Sequence, residues 1–346
     1  MTLAQWLDIP FSIIQAPMAG VQGSRLAMAV SQAGGVGSLP AAMLSSSQLR
    51  QELETLQQLG PQPYNLNFFC HQPPADDPAA LAGWQALLAP FYQELGIHLA
   101  AAGGAGRLPF NQEMADMVSH YRPALVSFHF GLPAPALLQQ VKATGAKVLS
   151  SATTVAEARW LEAHGADAVI AQGLEAGGHR GMFLHEDLDD QLGSFALLPQ
   201  IVQAVNIPVI AAGGIADATG VAAAMRLGAA GVQVGTAYLL CPEADTSALH
   251  RAALRSPAAA HTALTTLYSG RPARGIVNRL MRELGPRHPA APAFPLASAA
   301  LAPLRAAAEA LGRDDFSPLW CGQNASGCQA IAAGELTRQL AAGLVC

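Results

Sequence analysis

His179 follows two glycines in Gln172-Gly-Leu-Glu-Ala-Gly-Gly-His-Arg-Gly181, directly after the apolar run Ala168-Val-Ile-Ala171. An imidazole titrates near neutral pH, so at a turn leaving a buried strand it is equipped to act as acid, base or anion ligand. Gly177 and Gly178 let the main chain come close to a flat ligand. Two more glycine turns follow strand-like runs, Pro208-Val-Ile-Ala-Ala-Gly-Gly214 and Gly231-Val-Gln-Val-Gly-Thr236. Successive strand ends with open amides suit a phosphate-bearing ligand, and Gly213 and Gly214 stand just ahead of a helix start near Asp217. Three such turns, with a histidine in the first, point to an enzyme. His129, in Ser127-Phe-His-Phe-Gly131, is a second polar group at a strand end, explained as readily by packing as by function.

The elements that must carry these turns alternate. Short β-rich runs at Ile13–Ala16, Gly35–Ser38, Tyr64–Phe69, His98–Ala101, Leu125–Phe130, Lys147–Ser150, Ala168–Ala171, Pro208–Ala212 and Val232–Val234 are separated by Ala/Leu/Gln-rich helical stretches. That is the pattern of βα units around a parallel sheet. The reading is an α/β fold, a TIM-type (β/α)8 barrel, with nine candidates for eight strands and His98–Ala101 the weakest of them. Thr153-Thr-Val-Ala-Glu157 and Asp217-Ala-Thr-Gly220 each read as a capped helix start. The rhythm is lost after Leu240. Residues 1–240 are expected to form the barrel, and 241–316 a small helical subdomain, without strands, inserted after the last barrel strand and laid over the mouth. Pro286–Pro303 reads as an Ala/Pro-rich connector. Residues 317–346 are expected to end in a helix, Ala325–Leu344, returning to the barrel.

Composition narrows the classes. A formal net charge of −5 and only two lysines among 346 residues argue against nucleic acid, which demands clustered cations. Five cysteines, an odd number without a C-x-x-C pair, suggest neither a zinc site nor a disulfide framework. No set of histidines and carboxylates falls at strand ends, so no metal site is expected. No apolar run approaches the ~18 residues of a spanning helix, and Met1–Asp8 lacks the basic and apolar regions of a secretory signal. The expectation is a soluble, cytoplasmic protein that needs no membrane. The other histidines, His164 and His250 among them, read as residues of solvated helix faces.

An ordered set of motifs resembles the nitronate monooxygenase family, formerly grouped with 2-nitropropane dioxygenase-like flavoproteins. The set comprises Ile14-Gln-Ala-Pro-Met-Ala-Gly20, Gly34-Gly-Val-Gly-Ser38, Asn65-Leu-Asn-Phe-Phe69, Ser127–Gly131, Ala171–His179, Ala211-Ala-Gly-Gly-Ile215, Val232–Thr236 and Ser269-Gly-Arg-Pro-Ala-Arg-Gly-Ile-Val-Asn278. His129, Ser269–Asn278 and Trp320-Cys-Gly-Gln-Asn324 lean towards the bacterial, nitronate-oxidising type.

The resemblance implies FMN at the C-terminal face of the barrel. Its phosphate would meet the amides of Gly213, Gly214, Gly235 and Thr236. Asn67 and Gln172 would bond the flavin's polar edge or ribityl chain, and Gly177 and Gly178 would approach the ring. Ala16, Pro17 and Met18 would wall it. Gln233 is a further cofactor position, although strand alternation leaves open that it faces away.

The implied reaction is oxidation of an alkyl nitronate, with propionate 3-nitronate as the expected substrate, by FMN and dioxygen without NAD(P)H. His179 is the catalytic candidate, and His129, Phe69, Met18 and Tyr268 the substrate pocket. Phe68 and Phe69 alternate along a strand, so at most one faces ligand. Arg271 and Arg274 read equally as anion binders or as ties between subdomain and barrel. The alternative on the same fold is an FMN-dependent NAD(P)H reductase of quinones or enoyl thioesters. A flavin-binding protein without catalysis is the rival from another class. The oligomeric state is left open.

Overall fold

Eight of the apolar runs become parallel strands of a ring in a computed structural model that describes residues 1–58, 60, 62–98 and 108–344. The strands are β1 (Ile13–Gln15), β2 (Gly37–Pro40), β3 (Tyr64–Phe69), β4 (Leu125–His129), β5 (Lys147–Ala152) and β6 (Ala168–Gln172), followed by β7 (Gly178–His179), β8 (Val209–Ala212), β9 (Gly231–Val234), β10 (Thr262–Thr265) and β11 (Ala273–Ile276). The ring is formed by β1 to β6, β8 and β9 in the order β1-β9-β8-β6-β5-β4-β3-β2, and a parallel bridge from Ile14 to Val36 joins the ends. The result is a (β/α)8 barrel.

The eight barrel strands are buried along nearly their whole length, as expected of a parallel sheet covered by helices. Ile14, Val36, Leu125, Leu149 and Ile210 pack together inside the ring. Outside, Leu161, Leu197, Ile201 and Val221 seat the surrounding helices. One register point is purely steric. A Cβ at Gly37 would lie 1.8 Å from the main-chain oxygen of Ala27, so only glycine lets helix Ser24–Gln32 cross the start of β2.

Both expected helix starts are present. Thr154 caps helix Val155–Ala163 and Asp217 caps helix Ala218–Arg226, each accepting a first-turn amide. Of the ninth strand candidate, His98 lies in no strand, and residues 99–101 fall outside the described residues.

The segment after Leu240 is not purely helical. It holds helices Ala248–Leu254, Arg279–Leu284 and Ala297–Ala310, but also β10 and β11. These pair antiparallel with each other, and β11 pairs with β7, so Ala273 faces His179. The connector expectation is likewise revised, because Ala297 to Pro303 already belong to helix Ala297–Ala310. The packing of this segment is completed by helix Pro78–Glu94. Trp84 Nε1 donates to Ala297 O at 3.2 Å and Tyr92 OH to Ala300 O at 2.6 Å. Helix Ala333–Ala341, shorter than Ala325–Leu344, packs Leu336 and Leu340 into the barrel's outer core. Among the described residues, no helix is long and apolar enough to cross a membrane.

Candidate active site

β6 ends at Gln172, and the chain then loops over the barrel mouth before β7 brings it back at His179. Buried polar groups hold that loop. The main-chain oxygen of His179 accepts from Gln172 Nε2 at 2.9 Å and stands 3.1 Å from His129 Nε2, while Gly181 N donates to Gln172 Oε1 at 2.8 Å. Arg180, only 1% exposed, donates to the carbonyls of Gln172 and Gly173, both at 2.7 Å. Arg274 Nε donates to Leu174 O at 3.0 Å. Arg271 stacks on Phe130, 4.3 Å from its centroid, and pairs with Glu186 at 2.7 Å. Of the two roles left open for Arg271 and Arg274, the geometry shows ties.

His129 is held in one state. Burial pushes its pKa down to about 4, with the positive charges of Arg271 and Arg180 acting in the same direction. The ring is therefore neutral at pH 7. A carbonyl only accepts, so the proton sits on Nε2 facing His179 O, and Nδ1 takes the hydroxyl hydrogen of Ser151 across 3.0 Å. His129 lines the cavity, but its Nε2 serves the His179 loop and its Nδ1 the hydroxyl of Ser151 on β5.

The His179 ring itself lies 2.8 Å, Nε2 to Oγ, from buried Ser269. Around it stand Phe69, Phe130, Phe294 and Trp320, with centroids 6.0, 6.1, 5.5 and 5.6 Å away. Phe69 faces the cavity, while Phe68 turns outward onto Phe110 at 4.7 Å, as alternation requires. Tyr268 is a correction. It is absent from the cavity wall and lies behind Trp320, with its hydroxyl donating to Asn278 Oδ1 at 2.7 Å. Trp320 holds the wall position instead.

The opposite side is a main-chain cradle. Gly213 and Gly214 have φ of 109° and 75°, a region that side chains other than glycine rarely adopt. Among the described residues, no hydrogen bond takes up the amides of Gly213, Gly214, Gly235 or Thr236. The turn amides, rather than a helix end, are what an anion would meet. Asp217 already accepts Gly220 N at 2.8 Å, and Glu175 accepts Ser194 N at 2.9 Å at the start of helix Ser194–Ala204. Thr236 Oγ1 accepts Gly322 N at 2.9 Å, bringing the C-terminal segment to the cradle.

Ala16, Pro17 and Met18 form the adjoining wall, and Gly177 and Gly178 complete the rim. Asn67 Nδ2 is spent on Ser127, leaving Oδ1 without a partner among the described residues. Gln233, whose direction alternation left open, lines the cavity, and its Oε1 is buried with no partner there. His250 overturns the expectation of a solvated face. It is 4% exposed and lines the same cavity. The missed signal was the i, i+3, i+4 spacing of His250, Ala253 and Leu254, which puts the histidine on the helix's buried face.

The family model described as nitronate monooxygenase matches residues 1–343. The nitronate monooxygenase of Pseudomonas aeruginosa is 43% identical over 337 residues, covering 96% of each chain. This chain belongs to the nitronate monooxygenase family. A second member of the family, from Paraburkholderia phytofirmans, is 41% identical, covering 96% of this chain and 92% of its own. Among solved structures, the nitroalkane oxidase of Streptomyces ansochromogenes is 39% identical with a TM-score of 0.89, covering 97% of this chain and 96% of its own. FabK from Thermotoga maritima is more distant, 25% identical with a TM-score of 0.71 over 98% of this chain and 94% of its own.

Proposed function

We propose that this protein oxidises alkyl nitronates, propionate 3-nitronate among them, with FMN as cofactor and dioxygen as oxidant, and without NAD(P)H. The observation that carries the reading is His179 set against Ser269 in an aromatic wall, across one cavity from an open-amide cradle.

The residues present fit FMN. Four amides suit its phosphate, and Gln233 Oε1 is an acceptor otherwise buried at a cost of about 1–3 kcal/mol. A Cβ on Gly178 would meet nothing within 4 Å, so this glycine borders open space where a flat ring can lie. When bound, the flavin supplies the electron acceptor for nitronate oxidation.

The protein's own contribution is positioning and charge. A nitronate already carries the negative charge, so the site must hold it more than deprotonate it. His179 does so as imidazolium, and as neutral imidazole it takes the α-proton of a neutral nitroalkane. Ser269 fixes the ring, and neutral His129 fixes the main chain beneath it. Phe69, Phe130, Phe294 and Trp320 keep water from the reacting carbon. Residues 241–316 act as the cap that supplies Ser269 and β11. Cytoplasmic residence goes with this reading, since Cys70, Cys241, Cys321 and Cys328 are free thiols, as a reducing compartment keeps them.

One second reading on the same fold is an NAD(P)H-dependent flavin reductase. Anaerobic mixing separates the two. Bleaching of the visible flavin band by nitronate, with none by NADH or NADPH, is the expected result. Bleaching by a nicotinamide alone would transfer the protein to the reductases.

A further inference from the structure

We propose that Arg271 receives a carboxylate of the substrate, so that the nitronates this site prefers carry a second negative charge. The proposal rests on the nitronate reading above and narrows its substrate class. A second cavity, of about 1320 Å³, lies against the aromatic wall of the first. Phe130 and Phe294 line it, and the same two rings stand 6.1 and 5.5 Å from the ring of His179. One layer of side chains therefore divides the two cavities. Phe130 is held there at a φ of 70°, a left-handed conformation that a bulky residue adopts only under constraint. Arg271 lines the second cavity two residues after Ser269, which bonds His179 in the first. Its tie to the barrel occupies Nε and Nη2, which donate to Glu186 and to Met182 O. Nη1 donates to nothing among the described residues, yet it is not one of the atoms sealed from solvent. Two N–H groups of a guanidinium only 15% exposed are thus unspent at the cavity.

A planar carboxylate is what the edge of a guanidinium binds best. Phe130 packs on the group at 4.3 Å, which fixes it and leaves its edge to make hydrogen bonds. Lys142, the other lysine or arginine of this cavity among the described residues, is already paired with Asp167 at 2.7 Å. Glu186 is the lining carboxylate that competes for Arg271. It is 55% exposed, so its hold is weak and exchangeable. Propionate 3-nitronate carries a carboxylate at one end and a nitronate at the other. With the first on Arg271, the second is left for His179, and Phe130 neighbours both side chains.

The test compares wild type, Glu186→Gln and Arg271→Gln on propionate 3-nitronate and on propane 1-nitronate, which has the same three-carbon chain without the carboxylate. Glu186→Gln removes the competing charge from an exposed position and keeps Arg271 in place. It should lower KM for propionate 3-nitronate about five-fold and leave KM for propane 1-nitronate and both kcat values unchanged. Arg271→Gln should raise KM for propionate 3-nitronate about ten-fold, the loss of one charge-assisted hydrogen bond, with little change for propane 1-nitronate. Calorimetric titration with succinate, in which a carboxylate replaces the nitronate, reads the same contact without turnover. Succinate should bind Glu186→Gln more tightly than wild type and Arg271→Gln more weakly. Equal shifts for the two nitronates in Glu186→Gln would overturn the proposal in favour of a general field effect. No shift in KM or in succinate binding would also overturn it. Wild type that oxidises neither nitronate would instead sink the nitronate reading, and this proposal with it.

Discussion

Acid should destabilise the ligand-free protein through two histidines that fold in their neutral state. Burial lowers both His129 and His250 to about 4 from an ordinary 6.5. Between those two values the unfolded chain binds protons that the native protein refuses, so stability falls as pH falls through that window. For His250, 4% exposed, the full loss below the window is about 3 kcal/mol, and about 2 kcal/mol of it is reached by pH 5. His129 is partly exposed at the cavity, so its share is smaller. The assay is urea unfolding of flavin-free protein near pH 7.5 and near pH 5, comparing midpoints at constant m. Wild type should lose more stability on acidification than His250→Phe, by about 2 kcal/mol. Identical losses in the two proteins would refute the reasoning, because the variant has no imidazole to protonate.

Other perturbations separate steric from chemical roles. In Gly177→Ala, the new Cβ would lie 2.6 Å from the main-chain atoms Cys321 C and Gly322 N, so thermal melting should show a loss of ~2 kcal/mol or more. Gly178→Ala meets no atoms and should cost only the ~1 kcal/mol of its left-handed φ of 72°. His179→Ala should keep its flavin spectrum while kcat drops by roughly 10²–10⁴. Tyr268→Phe leaves Asn278 Oδ1 short of a donor, so ~1 kcal/mol of stability should be lost with KM for nitronate unchanged.

The barrel was legible because each strand is an apolar run followed by its own helix, and periodicity reports such local units. The cradle was legible for the same reason: Gly213-Gly214 and Gly235-Thr236 each close a strand. What escaped depends on partners distant in sequence. β10 and β11 are four residues each and gain their pairing from one another and from the two residues of β7. Nothing in Thr262–Thr265 announces a strand without that partner. Tyr268 sits beside Ser269, which does reach the site, yet its hydroxyl is satisfied inside the cap, and only the fold tells the two apart. Trp320 reaches the cavity because its segment bridges to Gly275, well upstream in the chain. Arg180 is adjacent to the most conspicuous histidine, but its work on the carbonyls of Gln172 and Gly173 appears only when the loop closes.

The most direct measurement is oxygen uptake by purified, FMN-loaded protein given propionate 3-nitronate in air, with no nicotinamide present. Rapid uptake with nitrite release, abolished in His179→Ala that still holds its flavin, is the predicted result. An oxygen trace that stays flat with nitronate, while NADH or NADPH bleaches the flavin, would contradict the proposed reaction and leave only the barrel and its cradle standing.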